Sequence, residues 1–277
     1  MRAYRLAYDG RPYHGFQRQP DVPTVEDALL DALRDLGALD GGADKPEGYA
    51  AAGRTDSGVS ARAQTVAFGA PDWLTPRALN AELPAAVRAW ASADVDPAFH
   101  ATHDARERTY VYHLYAPRAG SATRAPFDDD SARAALETLA GERDFHNLTP
   151  DERGTSRDLA ASAERDGAFL VVTLRAGGFA RQLVRRVVGL VAEVGRGECG
   201  LERVERVLGP DPLDGPAGVA PAAAEPLVLW DVDYPGVAFT VDERAAESAR
   251  ASFDDRHADR VTAATVAAGL RSGVGDP

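Results

Sequence analysis

The segment Ala51–Gln64, AAGRTDSGVSARAQ, sets Arg54 and Asp56 among Gly53, Gly58, alanines and serines, with almost no bulky side chains. A stretch that buries so little apolar surface contributes little to a core. Its glycines permit tight or left-handed backbone and the close approach of a ligand. Arg54 and Asp56 are two residues apart, so on an extended backbone they point the same way. A guanidinium beside a carboxylate favours the ionised form that a nucleophile requires. Two readings follow. The segment is a surface turn with a chance ion pair worth about 0–1 kcal/mol, or it presents a carboxylate for covalent or general-base chemistry.

Two other stretches carry groups able to act on such a site. In FARQLVRRVVGLVAEVG the periodicity predicts a helix from Phe179, with Phe179, Leu183, Val187, Leu190 and Val194 as its apolar stripe. Arg181 and Arg185 then fall together on roughly the opposite side, one turn apart. Like charges so placed cost a few tenths of a kcal/mol unless an anion lies near them. They read as a solvated face or as a cationic wall facing a carboxylate or phosphate. In RTYVYHLYA, Tyr110 and Tyr112 share one strand face, and Val111, His113 and Tyr115 share the other. Such rings are core residues, or platforms on which an unpaired base stacks.

Other chemistries lack their residues. His100 and His103 follow Pro97 with no helix and no third ligand nearby, so no metal site is read. There is no Walker loop, GxGxxG, GxSxG or HExxH, which leaves phosphoryl transfer, dinucleotide redox and serine hydrolysis without support. The single cysteine, Cys199, forms no intramolecular disulfide and no thiolate cluster. No run approaches the roughly 18 apolar residues of a membrane span, and the N-terminus has no signal-like apolar region; a cytoplasmic protein without membrane contact is expected.

The 277 residues suffice for one large domain or two ordinary ones, and 44% of them are hydrophobic, enough for a genuine core. Forty-three acids against thirty-one bases give a net charge of −12, and Lys45 is the only lysine. Acid excess with almost no lysine suits a cytoplasm of very high salt, where the Debye length falls to about 3 Å at 1 M. The alternative is an ordinary acidic protein from a GC-rich genome. Net acidity ordinarily argues against a nucleic-acid partner. On a uniformly acidic surface the signal to seek is a local arginine cluster.

The elements that must position these groups are readable in outline. AYRLAYD is an opening strand, and Thr24 caps a helix over TVEDALLDALRDLG that ends at Gly37. Short strands near Tyr49–Ala52 and Arg62–Phe68 flank the first motif. Thr75-Pro76 starts a further helix, and VRAWASADV is a strand. In the second half RTYVYHLYA, AFLVVTL, LVLWDVDY and VAFTV read as strands. Ser131–Leu139, the Phe179 segment, LERVERVL and a tail over about Asp242–Leu270 read as helices. Strands and helices mix without strict alternation, so the class is α+β with antiparallel sheets. The division falls between an N-terminal unit, 1–104, carrying Asp56, and a C-terminal unit, 105–277, with the helical tail.

Four blocks, in order, resemble one family. GRTDSGVSARAQ resembles the GRTDxGVHAxxQ signature of the tRNA pseudouridine synthase A family. YDGRPYHGFQRQPDVPTVEDALLDAL is similar to its opening, FHATHDARERTYVYHLY to its FHAR and RxYxY segment, and FARQLVRRVVGLVAEVGRG to its MVR helix. LVLWDVDYPG matches the closing strand. Departures are Ser60 where the family usually has histidine, Leu183 for methionine, His103 inside the FHAR block, and Glu225-Pro226 for a Gly-Leu pair.

The resemblance implies a two-domain pseudouridine synthase fold, with helices flanking the sheets and an active-site cleft between the domains. It implies isomerisation of uridine to pseudouridine in the tRNA anticodon stem-loop, at positions 38, 39 and/or 40, without cofactor or metal, by a homodimer. By position it makes Asp56 the catalytic nucleophile and Arg54 its motif partner, holding the flipped nucleotide or its phosphate. Tyr110 becomes the ring that stacks on the target base, and Arg185 the partner of Asp56. Arg11, Arg18, Arg62, Arg181 and Arg186, near the family blocks, are candidates for the RNA face. Two rivals are a non-catalytic RNA-binding protein of the same fold and a glycosidic hydrolase; the latter needs a second carboxylate, and none lies in the motif. Position 60 is left without a role.

Overall fold

The computed structural model describes residues 1–120, 125–213 and 218–274. Strand β1 (Arg2–Tyr8) turns Tyr4, Leu6 and Tyr8 into one core and places Ala3 and Arg5 on its other face. It pairs antiparallel with β3 (Ser60–Phe68) and with β4 (Val87–Asp94). Helix α1 (Val25–Asp35) contributes Leu29, Leu30 and Leu33 to the same core, and its N-cap Thr24 accepts from the Asp27 N–H. Helix α2 (Pro76–Glu82) begins as its sequence predicts, with Thr75 as N-cap and Pro76 in the first turn. A two-residue strand, β2 (Ala50–Ala51), pairs with β3.

The second half builds its own core. Strand β5 (Glu107–Tyr115) pairs antiparallel with β8 (Phe169–Ala176) and β9 (Leu227–Asp233). Beyond β8 lie β7 (Ser156–Asp166) and β6 (Gly141–Asp144). Helices α3 (Asp129–Leu139), α4 (Leu183–Gly195) and α5 (Leu201–Val207) supply Leu136, Leu139, Val187, Leu190, Val191 and Val204 to the core under this sheet.

The two halves share one sheet. Its order is β10-β4-β1-β3-β9-β5-β8-β7-β6, with β10 (Thr240–Val241) at one edge. Among the described residues antiparallel pairing holds for every strand pair but one: β3 and β9 run parallel, Ser60 opposite Val228 and Ala61 opposite Leu229. That contact is the join. On one side of it Val59 packs into the C-terminal core while Ala61 packs into the N-terminal one. On the other side Leu227 belongs to the C-terminal core, and Leu229 and Val232 to the N-terminal one.

Helix α6 (Glu243–Gly273) returns to the first half. It packs on β4, where the Arg88 Nε donates to Ser252 Oγ at 3.2 Å, and Arg256 pairs with Asp9 at 3.0 Å. Residues 257–274 are exposed. Among the described residues no helix is long and apolar enough to cross a membrane.

Four elements differ from the sequence reading. The helix expected from Phe179 begins at Leu183, because Gln182 adopts a left-handed conformation, φ 60°, and breaks the turn before it. VAFTV pairs only through Thr240 and Val241. Strands β6 and β7 are additional. In SRDLAASAERD only Leu159 is fully buried, so charges and alanines leave little alternation to detect.

Candidate active site

The GRTDSG segment leaves β2 and turns into β3 over a floor made by the opening loop. Thr55 points inward and is buried, its hydroxyl bonded to the Tyr8 hydroxyl at 2.7 Å. Its carbonyl accepts from the Phe16 N–H at 3.0 Å. The floor is tight. Gly15 has φ +99°, and a Cβ there would stand 2.8 Å from the Thr55 carbonyl oxygen. The Gln64 side chain donates to the Gly53 carbonyl at 2.8 Å. With Thr55 anchored below, Asp56 is partly exposed and Arg54 fully so.

Asp56 meets Arg185, the third residue of α4. The Arg185 Nη1 lies 3.1 Å from Asp56 Oδ2, with the two side chains 17% and 34% exposed. The same guanidinium donates through Nε to the Ala222 carbonyl at 2.7 Å, and the Ala222 N–H donates back to the Arg185 carbonyl at 2.9 Å. Gly189, one turn on, lets this segment close in, since a Cβ there would fall 2.4 Å from the Ala220 carbonyl oxygen. The arginine is thus held by backbone on one side and faces the carboxylate on the other. A half-buried pair of this kind keeps its geometry while one side stays open to a ligand.

Tyr110 lines the join. It is partly buried against both cores, with the Phe179 ring edge-on at 5.1 Å and 87°. Burial pushes its hydroxyl up to about 12; the Asp56 charge adds to the rise and Arg108 opposes it. Phe179 lies outside α4, in the turn before it, and so is free to pack on Tyr110.

The arginines divide. Arg54 makes no ion pair among the described residues, so the carboxylate's partner is Arg185 and not its neighbour in the motif. Arg181 and Arg185 do not form one wall. Arg181 lies before α4 and bridges to Asp151 at 3.5 Å, because the turn at Gln182 separates it from Arg185. Arg18 pairs with Asp27 at 3.0 Å and Asp44 at 2.7 Å. Arg186 donates to the Val219 carbonyl at 2.6 Å and to Gln182. Arg62 lies between the Trp90 and Trp230 rings, 5.6 and 5.2 Å from their centroids. Arg11 is exposed, with no side-chain partner among the described residues.

A cavity of about 1280 Å³ opens beside the site, lined by Tyr8, Arg11, Ser60, Arg62, Tyr112 and Glu225 among others. Asp56, Arg185 and Tyr110 do not line it; Ala222, Ala223 and Glu225 are part of its wall. Ser60 now has a place: its Oγ accepts from the Gly10 N–H at 3.1 Å, tying the opening loop to β3. Phe179, expected in the apolar stripe of a helix, packs on Tyr110 instead, and nothing in the sequence pattern points to the Ala222 backbone as the partner of Arg185. Both act through packing or backbone atoms, which leave no spacing signal in the sequence.

A loop carboxylate held by a helix arginine therefore lies near a strand tyrosine that packs against both cores. The family described as tRNA pseudouridine synthase matches residues 135–235. A tRNA pseudouridine synthase A of Haloarcula marismortui is 59% identical over 99% of this chain and 100% of its own length. That of Natronomonas pharaonis is 60% identical over 98% of each, and that of Archaeoglobus fulgidus 34% identical over 92% and 91%. Among solved structures a Cbf5-Nop10-Gar1 complex is matched at 14% identity and a TM-score of 0.37, over 70% of this chain and 45% of that one, too distant to place any residue. The chain belongs to the tRNA pseudouridine synthase A family, whose members are isomerases converting uridine to pseudouridine. Its high-identity relatives come from halophilic archaea, in keeping with its acid excess and single lysine.

Proposed function

We propose that Asp56 is the catalytic nucleophile of this isomerisation and that its substrate uridines lie in the tRNA anticodon stem-loop, at positions 38, 39 and/or 40. The reaction breaks the N1–C1′ bond, rotates the uracil and rejoins it through C5. A uridine in a stem or its closing pair must first leave the stack, at a cost of a few kcal/mol. The detached base must then be kept from escaping. The observation that carries the reading is the 3.1 Å pairing of Asp56 with Arg185, beside a partly exposed tyrosine.

In this reading Tyr110 stacks on the flipped base, with Phe179 bracing its edge. Arg54 and Arg11, whose guanidinium groups have no partner among the described residues, take phosphate oxygens. Arg18, Arg62, Arg181 and Arg186 have partners already, so their contact with RNA would require those to yield. High salt weakens phosphate contacts steeply, so recognition leans on tRNA shape, stacking and 2′-OH contacts. The units 1–104 and 105–277 act as two domains flanking the cleft, in a cytoplasmic homodimer. Asp56→Asn tests the core of this reading: it removes pseudouridine formation on an anticodon stem-loop transcript and leaves tRNA binding in place.

A further inference from the structure

Arg108 opens the RTYVY stretch, and the function above gives it no part. It sits two residues before Tyr110 on β5 and therefore on the same strand face. Its guanidinium meets no carboxylate among the described residues. It donates instead to four backbone carbonyls: Nη2 to Ala52 at 2.9 Å and Thr102 at 2.6 Å, Nη1 to Gly177 at 2.6 Å and Ala105 at 3.3 Å. Only a planar group with five donors can serve so many acceptors at once.

The acceptors belong to three separate segments. Ala52 is the last residue before the GRTDSG turn that carries Asp56. Thr102 and Ala105 belong to the connection between the two halves, and Thr102 also holds β2 by donating its hydroxyl to the Ala51 carbonyl at 2.6 Å. Gly177 opens the turn to Phe179, the ring against Tyr110, and the next carbonyl, Gly178, is held by Arg157 Nε at 2.7 Å. One side chain thus ties the root of the Asp56 turn, the connection between halves and the root of the Phe179 turn to the strand bearing Tyr110.

We infer that Arg108 is a positioning residue of the reaction, setting the Asp56 turn against the Tyr110–Phe179 wall; this rests on the roles proposed for Asp56 and Tyr110. Its effect falls chiefly on the reacting geometry, since the guanidinium itself is taken up by four backbone carbonyls. A misplacement of about 1 Å costs on the order of a hundredfold in rate.

The test is the single-turnover rate of pseudouridine formation and the tRNA Kd, measured for Arg108→Ala and Arg108→Lys, with thermal melts reporting the folded fraction. The expected result is a rate about a hundredfold lower for the alanine variant, a smaller loss for lysine, and Kd within about threefold of the parent. Should the alanine variant not fold, the lysine variant carries the test. A folded variant with the parental rate, or a loss that Kd or the folded fraction accounts for, overturns the inference. An Asp56→Asn control separates the two claims. If it is inactive while Arg108→Ala is fully active, the positioning role fails alone; if it is active, the reading of the site fails.

Discussion

Arg185 and Asp56 lie 129 positions apart in the chain, and their side chains meet at 3.1 Å where the two cores join. The pair depends on both halves. Asp56 is set by a floor of Tyr8, Gly15 and Phe16, while Arg185 is set by α4 and the Ala222 backbone.

Arg185→Ala removes the carboxylate's partner and the guanidinium's bond to the Ala222 carbonyl together. The single-turnover rate is expected to fall about a hundredfold, with a stability loss of about 1–2 kcal/mol. A quench assay and a thermal melt read the two effects. A rate within twofold of the parent would show that the pair is not used.

Tyr110 is assigned a stacking role, which needs the ring and not the hydroxyl. Tyr110→Phe should keep kcat/KM within about threefold, and Tyr110→Ala should lose roughly tenfold to a hundredfold, the worth of one base–aromatic stack. Equal loss in both variants would move the role to the hydroxyl.

Buried tyrosines set an alkaline limit. Burial pushes Tyr4, Tyr110 and Tyr234 from 10 up to about 12. Between those values the unfolded chain releases protons that the folded one keeps, so stability falls as pH rises from about 10 to about 12. Melting temperatures at pH 9 and pH 11, at one salt concentration, test this. The lower value is expected at pH 11, and equal values would refute it.

Gly15→Ala places a Cβ against the Thr55 carbonyl at a position with φ +99°. The strain is worth about 1–3 kcal/mol, or a melting temperature lower by several degrees. Activity should fall further than stability, since the displaced atoms belong to the residue before Asp56. An unchanged melting temperature would mean that the floor is compliant.

What the sequence showed and hid follows from which atoms do the work. Caps at Thr24 and Thr75 and the alternation of β5 are side-chain signals, and all three elements lie where they were expected. The start of α4 was misplaced by four residues because a left-handed Gln182 leaves no mark in a hydrophobic pattern. Strand β7 was invisible because it lies near the sheet edge with a single fully buried residue, Leu159. Arg185 was matched to Asp56 through family likeness, since no spacing rule links residues so far apart. Arg108 was in plain view within its motif, but its acceptors are carbonyls, which every residue carries.

The most direct measurement is pseudouridine mapping with Asp56→Asn, on an anticodon stem-loop transcript and on tRNA from cells carrying only the variant. The substitution preserves shape and removes the charge that pairs with Arg185. The expected result is no pseudouridine in the anticodon stem-loop, with tRNA binding within about threefold of the parent. Pseudouridine near the parental level would contradict the assignment of Asp56 as the nucleophile.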